Sequence, residues 1–247
     1  MKNGQMNVAL LITGGGTTMR EILRACKDGR MPHVNPRLII ASRPDAAGIE
    51  KAKAEGMDEK DIVVIRRKGK ELPEFLEFGE AIIKACRERG VDFIGQYGWL
   101  PLTPPNVIEA FKGMIVNQHP GPLDPGRPDF GGEGMYGRRV HCARLYFVRT
   151  LNVDYPTTEV VAHRVYEEFD KGPVLHRAVV PISKHDDPSS LQERALPVEH
   201  RIQIETLQMF CEGTVRELVR ERPLLPDEAV PVLNMAKHIG ITLYPKG

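Results

Sequence analysis

At 247 residues the chain is longer than one typical domain of roughly 150 residues and shorter than two. Lys and Arg total 34 against 33 for Asp and Glu, a net charge of +1, which argues against nucleic acid or an anionic membrane as the main partner, since both favour a large basic excess. A hydrophobic share of 41% with 27% charged residues excludes a disordered chain, and no run nears the roughly 20 apolar residues of a membrane span.

Short β-branched runs at 7–12, 37–42, 61–65, 92–96 and 114–117 have the length and composition of buried strands. The first is too short for a signal-peptide core and leads straight into glycines. Between the runs, 18–27, 45–55 and 73–89 carry helical spacing, with Phe78, Ile82 and Cys86 marking one face of the last. This alternation predicts a three-layer α/β fold, a mostly parallel twisted sheet covered by helices on both faces. After Asn117 the pattern breaks. The stretch 119–137 is rich in proline and glycine and reads as a long ordered loop, a feature more often functional than structural. The segment 138–149 fits a helix or a strand equally well. The runs 159–166 and 173–181 read as a late antiparallel hairpin joined at 167–172. A long helix follows over 188–212, capped by Ser189 or Ser190, ending near Gly213, and kinked or split at Pro197. Beyond it, Pro223, Pro226 and Pro231 mark a tail laid on the body. Cys26, Cys86, Cys142 and Cys211 lie far apart with no C-x-x-C pair, so they read as inert thiols of a reducing cytoplasm rather than metal ligands or disulfides.

Three places can carry chemistry. Thr13-Gly14-Gly15-Gly16-Thr17-Thr18 lies between the first strand and the first helix, where glycines let backbone N–H groups approach an anion. Met19 stands where a dinucleotide fingerprint needs its third glycine, and no Gly-Lys-Ser/Thr ending is present, so a phosphomonoester fits better than NAD or ATP. A merely tight turn is the competing reading. Asn117-Gln118-His119-Pro120-Gly121 sits at the carboxyl end of a parallel strand, where open α/β sheets bind ligands. Two positions apart on a strand, Asn117 and His119 point to one side; a lone loop histidine is otherwise structural or solvated. Asp170, in Glu167-Glu168-Phe169-Asp170-Lys171-Gly172-Pro173, is either a turn-former or a partner that favours the imidazolium form of His119.

Taken in order, the glycine-rich turn, Asn-x-His-Pro and Asp-x-Gly-Pro resemble the folate-dependent formyltransferase family. The opening run 8–14, the Ser42-to-Gly48 strand exit, His163 seven residues before Asp170, and Glu199-His200 on the late helix extend the resemblance over 7–213. It implies one formyltransferase domain over 1–222, with a phosphate-binding, Rossmann-like half at 1–112, a catalytic and folate half at 113–222, and a tail at 223–247. The nearest match is the member that transfers a formyl group from 10-formyltetrahydrofolate to glycinamide ribonucleotide in purine synthesis. By that likeness Asn117, His119 and Asp170 are catalytic, with His163 auxiliary; Gly16, Thr17, Thr18 and Glu199 bind the phosphate and ribose; Trp99, Leu100, Leu102 and Asn117 contact folate. No metal is required.

The chain also departs from the family. Its phosphate loop has Gly14-Gly15-Gly16-Thr17-Thr18 for Gly-Asn-Gly-Ser-Asn, Pro101 removes a backbone donor in the folate segment, and 119–163 is longer than usual. Trp99 reads equally as core or as pocket wall, whereas Arg66, Arg67 and Lys68 read as a solvated basic edge more readily than as a site for the folate tail. Formylation of methionyl-tRNA or of an amino-sugar nucleotide, hydrolysis of formyltetrahydrofolate, and a non-catalytic folate- or nucleotide-binding regulator are the alternatives. With 34 residues after Gly213 and a balanced charge, small-molecule substrates are favoured over RNA, and the expected form is a cytoplasmic monomer or homodimer.

Overall fold

The computed structural model describes residues 4–69 and 71–247. In chain order the elements are β1 (Met6–Ile12), α1 (Thr17–Lys27), β2 (Val34–Ala41), α2 (Gly48–Ala54), β3 (Ile62–Val64), α3 (Leu72–Glu88), β4 (Phe93–Gln96), α4 (Pro105–Ala110), β5 (Ile115–His119), α5 (Arg138–Thr150), β6 (Thr157–Arg164), β7 (Val174–Pro181), α6 (Pro188–Glu212) and α7 (Val230–Leu243). The seven strands are ordered β3-β2-β1-β4-β5-β6-β7. Pairings among β1 to β5 are parallel and the β6–β7 pairing is antiparallel, as the sequence predicts. Two compact units result. One comprises the chain up to Asn117 with Arg164–Glu167 and Gln203–Val215; the other comprises Gln118–His163, Glu168–Ile202 and Arg216–Gly247.

In the first unit the chain adds β2 and β3 on one side of β1, then returns to place β4 and β5 on the other. The reversal between β1 and β4 is the topological switch point at which open α/β sheets form their ligand crevice. Val8 to Ile12 are all buried, because a central parallel strand is covered on both faces and needs an unbroken apolar run. Ala9, Leu11, Leu38, Ile40, Phe78, Ile82 and Ile94 share one core with Trp99.

In the second unit, Phe130, Val140, Phe147, Val160, Leu191, Ile202 and Leu233 share another core. The ambiguous segment after Gly137 is the helix α5. Two expectations change. First, α6 is one continuous helix from Pro188 to Glu212, so Pro197 does not split it. A mid-helix proline costs about 3 kcal/mol, but Leu191, Ala195 and Ile202 are fully buried along this helix, and full burial of a Leu or Ile contributes about 1.5–3 kcal/mol each. Second, the tail carries α7. Its Leu233, Ala236 and Gly240 are buried at helical spacing, and Gly240 lies so close to α5 that a Cβ there would sit 2.4 Å from the Arg139 carbonyl oxygen.

Candidate active site

The switch point joins two loops of the first unit. The Thr13 amide donates to the Gly98 carbonyl at 2.9 Å, and the Leu100 amide donates to the Thr13 hydroxyl at 3.0 Å. Residues 13–16, after β1, and 98–102, after β4, thus form one hydrogen-bonded rim. Gly16 precedes α1 with φ of 61°. A Cβ at Gly16 would stand 2.8 Å from the Gly48 Cα, so glycine is required both for the left-handed turn and for the close approach of α2. Thr17 and Thr18 open α1, but Thr18 is buried and its hydroxyl finds no partner among the described residues. What this turn can offer an anion is therefore its backbone N–H groups. From α2, Lys51 Nζ donates to the Gly15 carbonyl at 2.7 Å, which adds a positive charge to the turn.

In the 98–102 segment Trp99 is 6% exposed and stacks on Phe78 with planes 2° apart, so its ring belongs to the core. Leu100 is 39% exposed and Leu102 is half-buried. Gly98 has φ of 78° and open space around its Cα. Next to this segment lies a cavity of about 390 Å³ lined by Ser42, Arg43, Asp45, Arg66, Arg67 and Pro101. Arg43 pairs with Asp45, and Arg67 lies over the Phe75 ring.

The second unit brings three of the expected residues together. His119 Nδ1 lies 3.4 Å from Asp170 Oδ2, and His163 Nε2 lies 3.4 Å from Asp170 Oδ1. Both histidines are only 2% exposed. The Gly132 amide donates to Asp170 Oδ2 at 2.9 Å, so the carboxylate faces two imidazoles and a backbone donor. Burial alone would raise the Asp170 carboxyl; His119, His163 and the Gly132 amide outweigh it and hold Asp170 below the usual carboxylate range. The other nitrogen of His119, Nε2, lies 3.2 Å from the Phe130 carbonyl oxygen. Both neighbours of the ring are acceptors, so both contacts are satisfied only when both nitrogens carry protons. Burial opposes that charge. Asp170 pulls His119 upward, as the sequence suggests, yet desolvation prevails and the ring sits below its ordinary pKa. His141, from α5, is pushed down to about 4 by burial and stands as a neutral neighbour.

Asn117 lies two residues before His119 on β5, in register with Gln96 of β4. Glu199, on α6, is 6% exposed, and burial pushes its carboxyl up to about 7. Sequence reasoning missed Lys51, Asp129, the backbone of Phe130 to Gly132, His141 and Lys237. The helical register of Lys51, three residues beyond Gly48, was the one available signal; backbone donors and acceptors leave none.

A sheet with its crevice between β1 and β4, a glycine turn before α1, and a buried His–Asp pair made by the last residue of β5 and the β6–β7 connection is the framework of a formyl transferase. The chain belongs to that family, whose sequence pattern matches residues 6–207. Among its relatives, the chloroplastic phosphoribosylglycinamide formyltransferase of Arabidopsis thaliana is 31% identical over 91% of this chain and 72% of its own. The phosphoribosylglycinamide formyltransferase of Haemophilus influenzae is 29% identical over 85% of this chain and 89% of its own. The crystal structure of glycinamide ribonucleotide transformylase 1 from Symbiobacterium toebii superposes with a TM-score of 0.72 at 27% identity, covering 88% of this chain and 96% of that one.

Proposed function

We infer that the protein transfers a formyl group from 10-formyltetrahydrofolate to the primary amine of glycinamide ribonucleotide in purine biosynthesis. The observation that carries this reading is the enclosed His119–Asp170 pair, at the positions of the Asn-x-His-Pro and Asp-x-Gly-Pro motifs, in a chain whose relatives bear that activity in their names. The segment 98–102 fits the folate: it is open at Gly98, presents Leu100 to solvent and borders a cavity whose Arg66 suits a glutamate carboxylate. Trp99 takes part through its backbone, with Leu100 and Leu102 beside it. When bound, 10-formyltetrahydrofolate supplies the carbon that the amine attacks.

The remaining roles fall to the chain. Asn117 donates a hydrogen bond to the oxygen on which negative charge develops, and the protonated His119 ring stabilises that charge electrostatically. Asp170 orients the imidazole, favours its charged form and holds the water that passes the amine's proton to the folate nitrogen as the bond from that nitrogen to the formyl carbon breaks. His163 fixes the second oxygen of Asp170. The amides of Gly16, Thr17 and Thr18, with the Lys51 charge, hold the phosphate, and Glu199 takes the ribose hydroxyls. Four free thiols among the described residues agree with a reducing, cytoplasmic setting; no described helix is long and apolar enough to cross a membrane.

His119→Ala and Asp170→Asn are each expected to slow transfer on the order of 10²- to 10³-fold with the fold retained. Steady-state kinetics with circular dichroism checks this, and normal turnover by either variant overturns the reading.

A further inference from the structure

We propose that Lys237, on α7 and beyond the region matched by the family, is a positioning residue that acts on Asp170 through a single peptide group. The proposal rests on the formyl-transfer reading of the His119–Asp170 pair. Lys237 Nζ donates to the Gly131 carbonyl oxygen at 2.6 Å. The N–H on the far side of that same peptide bond, that of Gly132, donates to Asp170 Oδ2 at 2.9 Å. Asp170 Oδ2 in turn faces His119 Nδ1 at 3.4 Å. The chain of contacts therefore runs ammonium, peptide, carboxylate, imidazole.

A peptide group is conjugated from oxygen to nitrogen, so a cation on its oxygen makes its N–H a stronger donor, and hydrogen bonds in series reinforce one another. A Cβ on Gly131 would come within 2.7 Å of the Asp170 Cβ, so the peptide is pressed against the residue it serves. Asp129 accepts from the Gly131 amide at 2.9 Å and from the Asp124 amide at 2.9 Å, which sets the start of the turn. The preceding carbonyl, that of Phe130, faces His119 Nε2. One short turn, 129–132, thus touches both members of the pair, and the Lys237 ammonium holds it from outside. Burial lowers the pKa of Lys237, while Asp129 and Asp170 counter that effect and Lys171 adds to it.

Lys237→Met and Lys237→Arg, compared with Asp170→Asn in the full chain, test this. A misplacement of about 1 Å at a reacting group costs on the order of 10²-fold, so kcat of Lys237→Met is expected to fall roughly 10- to 100-fold with KM for both substrates unchanged. Lys237→Arg is expected to recover much of the loss, and hydrogen exchange at the Gly132 amide to quicken in Lys237→Met but not in Lys237→Arg. A merely structural role for Lys237 would lower Tm without splitting kcat from KM. Normal kcat in Lys237→Met beside a dead Asp170→Asn overturns the inference and leaves the formyl-transfer reading standing. Loss of kcat with unchanged Gly132 exchange also overturns it. An active Asp170→Asn overturns the reading beneath it.

Discussion

Asp170 has φ of 58°, a left-handed conformation that Asp and Asn tolerate better than other side chains. The turn-forming reading of this residue holds, and the same left-handed bend accompanies a carboxylate that meets both imidazoles. Asn suits this φ equally well, so Asp170→Asn separates charge from conformation, with Tm near that of the parent and transfer lost. Glu199 makes a prediction of its own. Its folded pKa of about 7 lies above that of an unfolded glutamate, about 4.3, so the folded state binds more protons between the two and loses stability as pH rises through that window. Glu199→Gln carries no such penalty. Chemical denaturation is expected to find the variant more stable than the parent well above pH 7, by about 4 kcal/mol, with the difference gone below pH 4; a pH-independent difference would show that burial does not hold the carboxyl neutral. At this scale the sequence pointed to His119, Asp170 and His163, whose side chains carry the motifs, and the structure brings the three together. The Phe130 carbonyl and the Gly132 amide were hidden, since every residue but proline has the same pair of backbone groups.

At the scale of elements, α5 and α7 approach closely because Gly240 places its Cα against the Arg139 carbonyl. Gly240→Val would push the helices apart, and such overpacking costs about 1–3 kcal/mol. A lowered Tm is the expected result; an unchanged Tm would mean that α7 is not seated against α5. Hydrophobic runs and helical spacing disclosed the strands and most of the helices; β1, β2, β4 and β5 stand out because buried parallel strands must be apolar along much of their length. The helix α7 escaped because Pro223, Pro226 and Pro231 looked like helix breakers. Pro231 in fact lies in the first turn, where the absent N–H has no bond to lose. Pro197 does not split α6, its local cost being smaller than the burial on either side of it.

Over the whole molecule, the long loop at 119–137 and the segment beyond 216 explain each other. Arg220 donates to the Leu123 carbonyl at 2.9 Å, and the Leu224 amide donates to Asp124 at 2.8 Å. The guanidinium of Arg139 binds the carbonyls of Gly134, Tyr244 and Pro245, and Lys237 holds Gly131. A loop this rich in proline and glycine has few regular hydrogen bonds of its own, so a second segment of the same unit supplies them. Local sequence patterns cannot reveal such a pairing, because the partners lie about 100 residues apart. The balanced charge still favours a small-molecule acceptor over RNA. The most direct test is a transfer assay with 10-formyltetrahydrofolate and four acceptors: glycinamide ribonucleotide, methionyl-tRNA, an amino-sugar nucleotide and water. Formylated glycinamide ribonucleotide as the only product is the predicted result; turnover with another acceptor instead, or folate binding without transfer to any of the four, would contradict it.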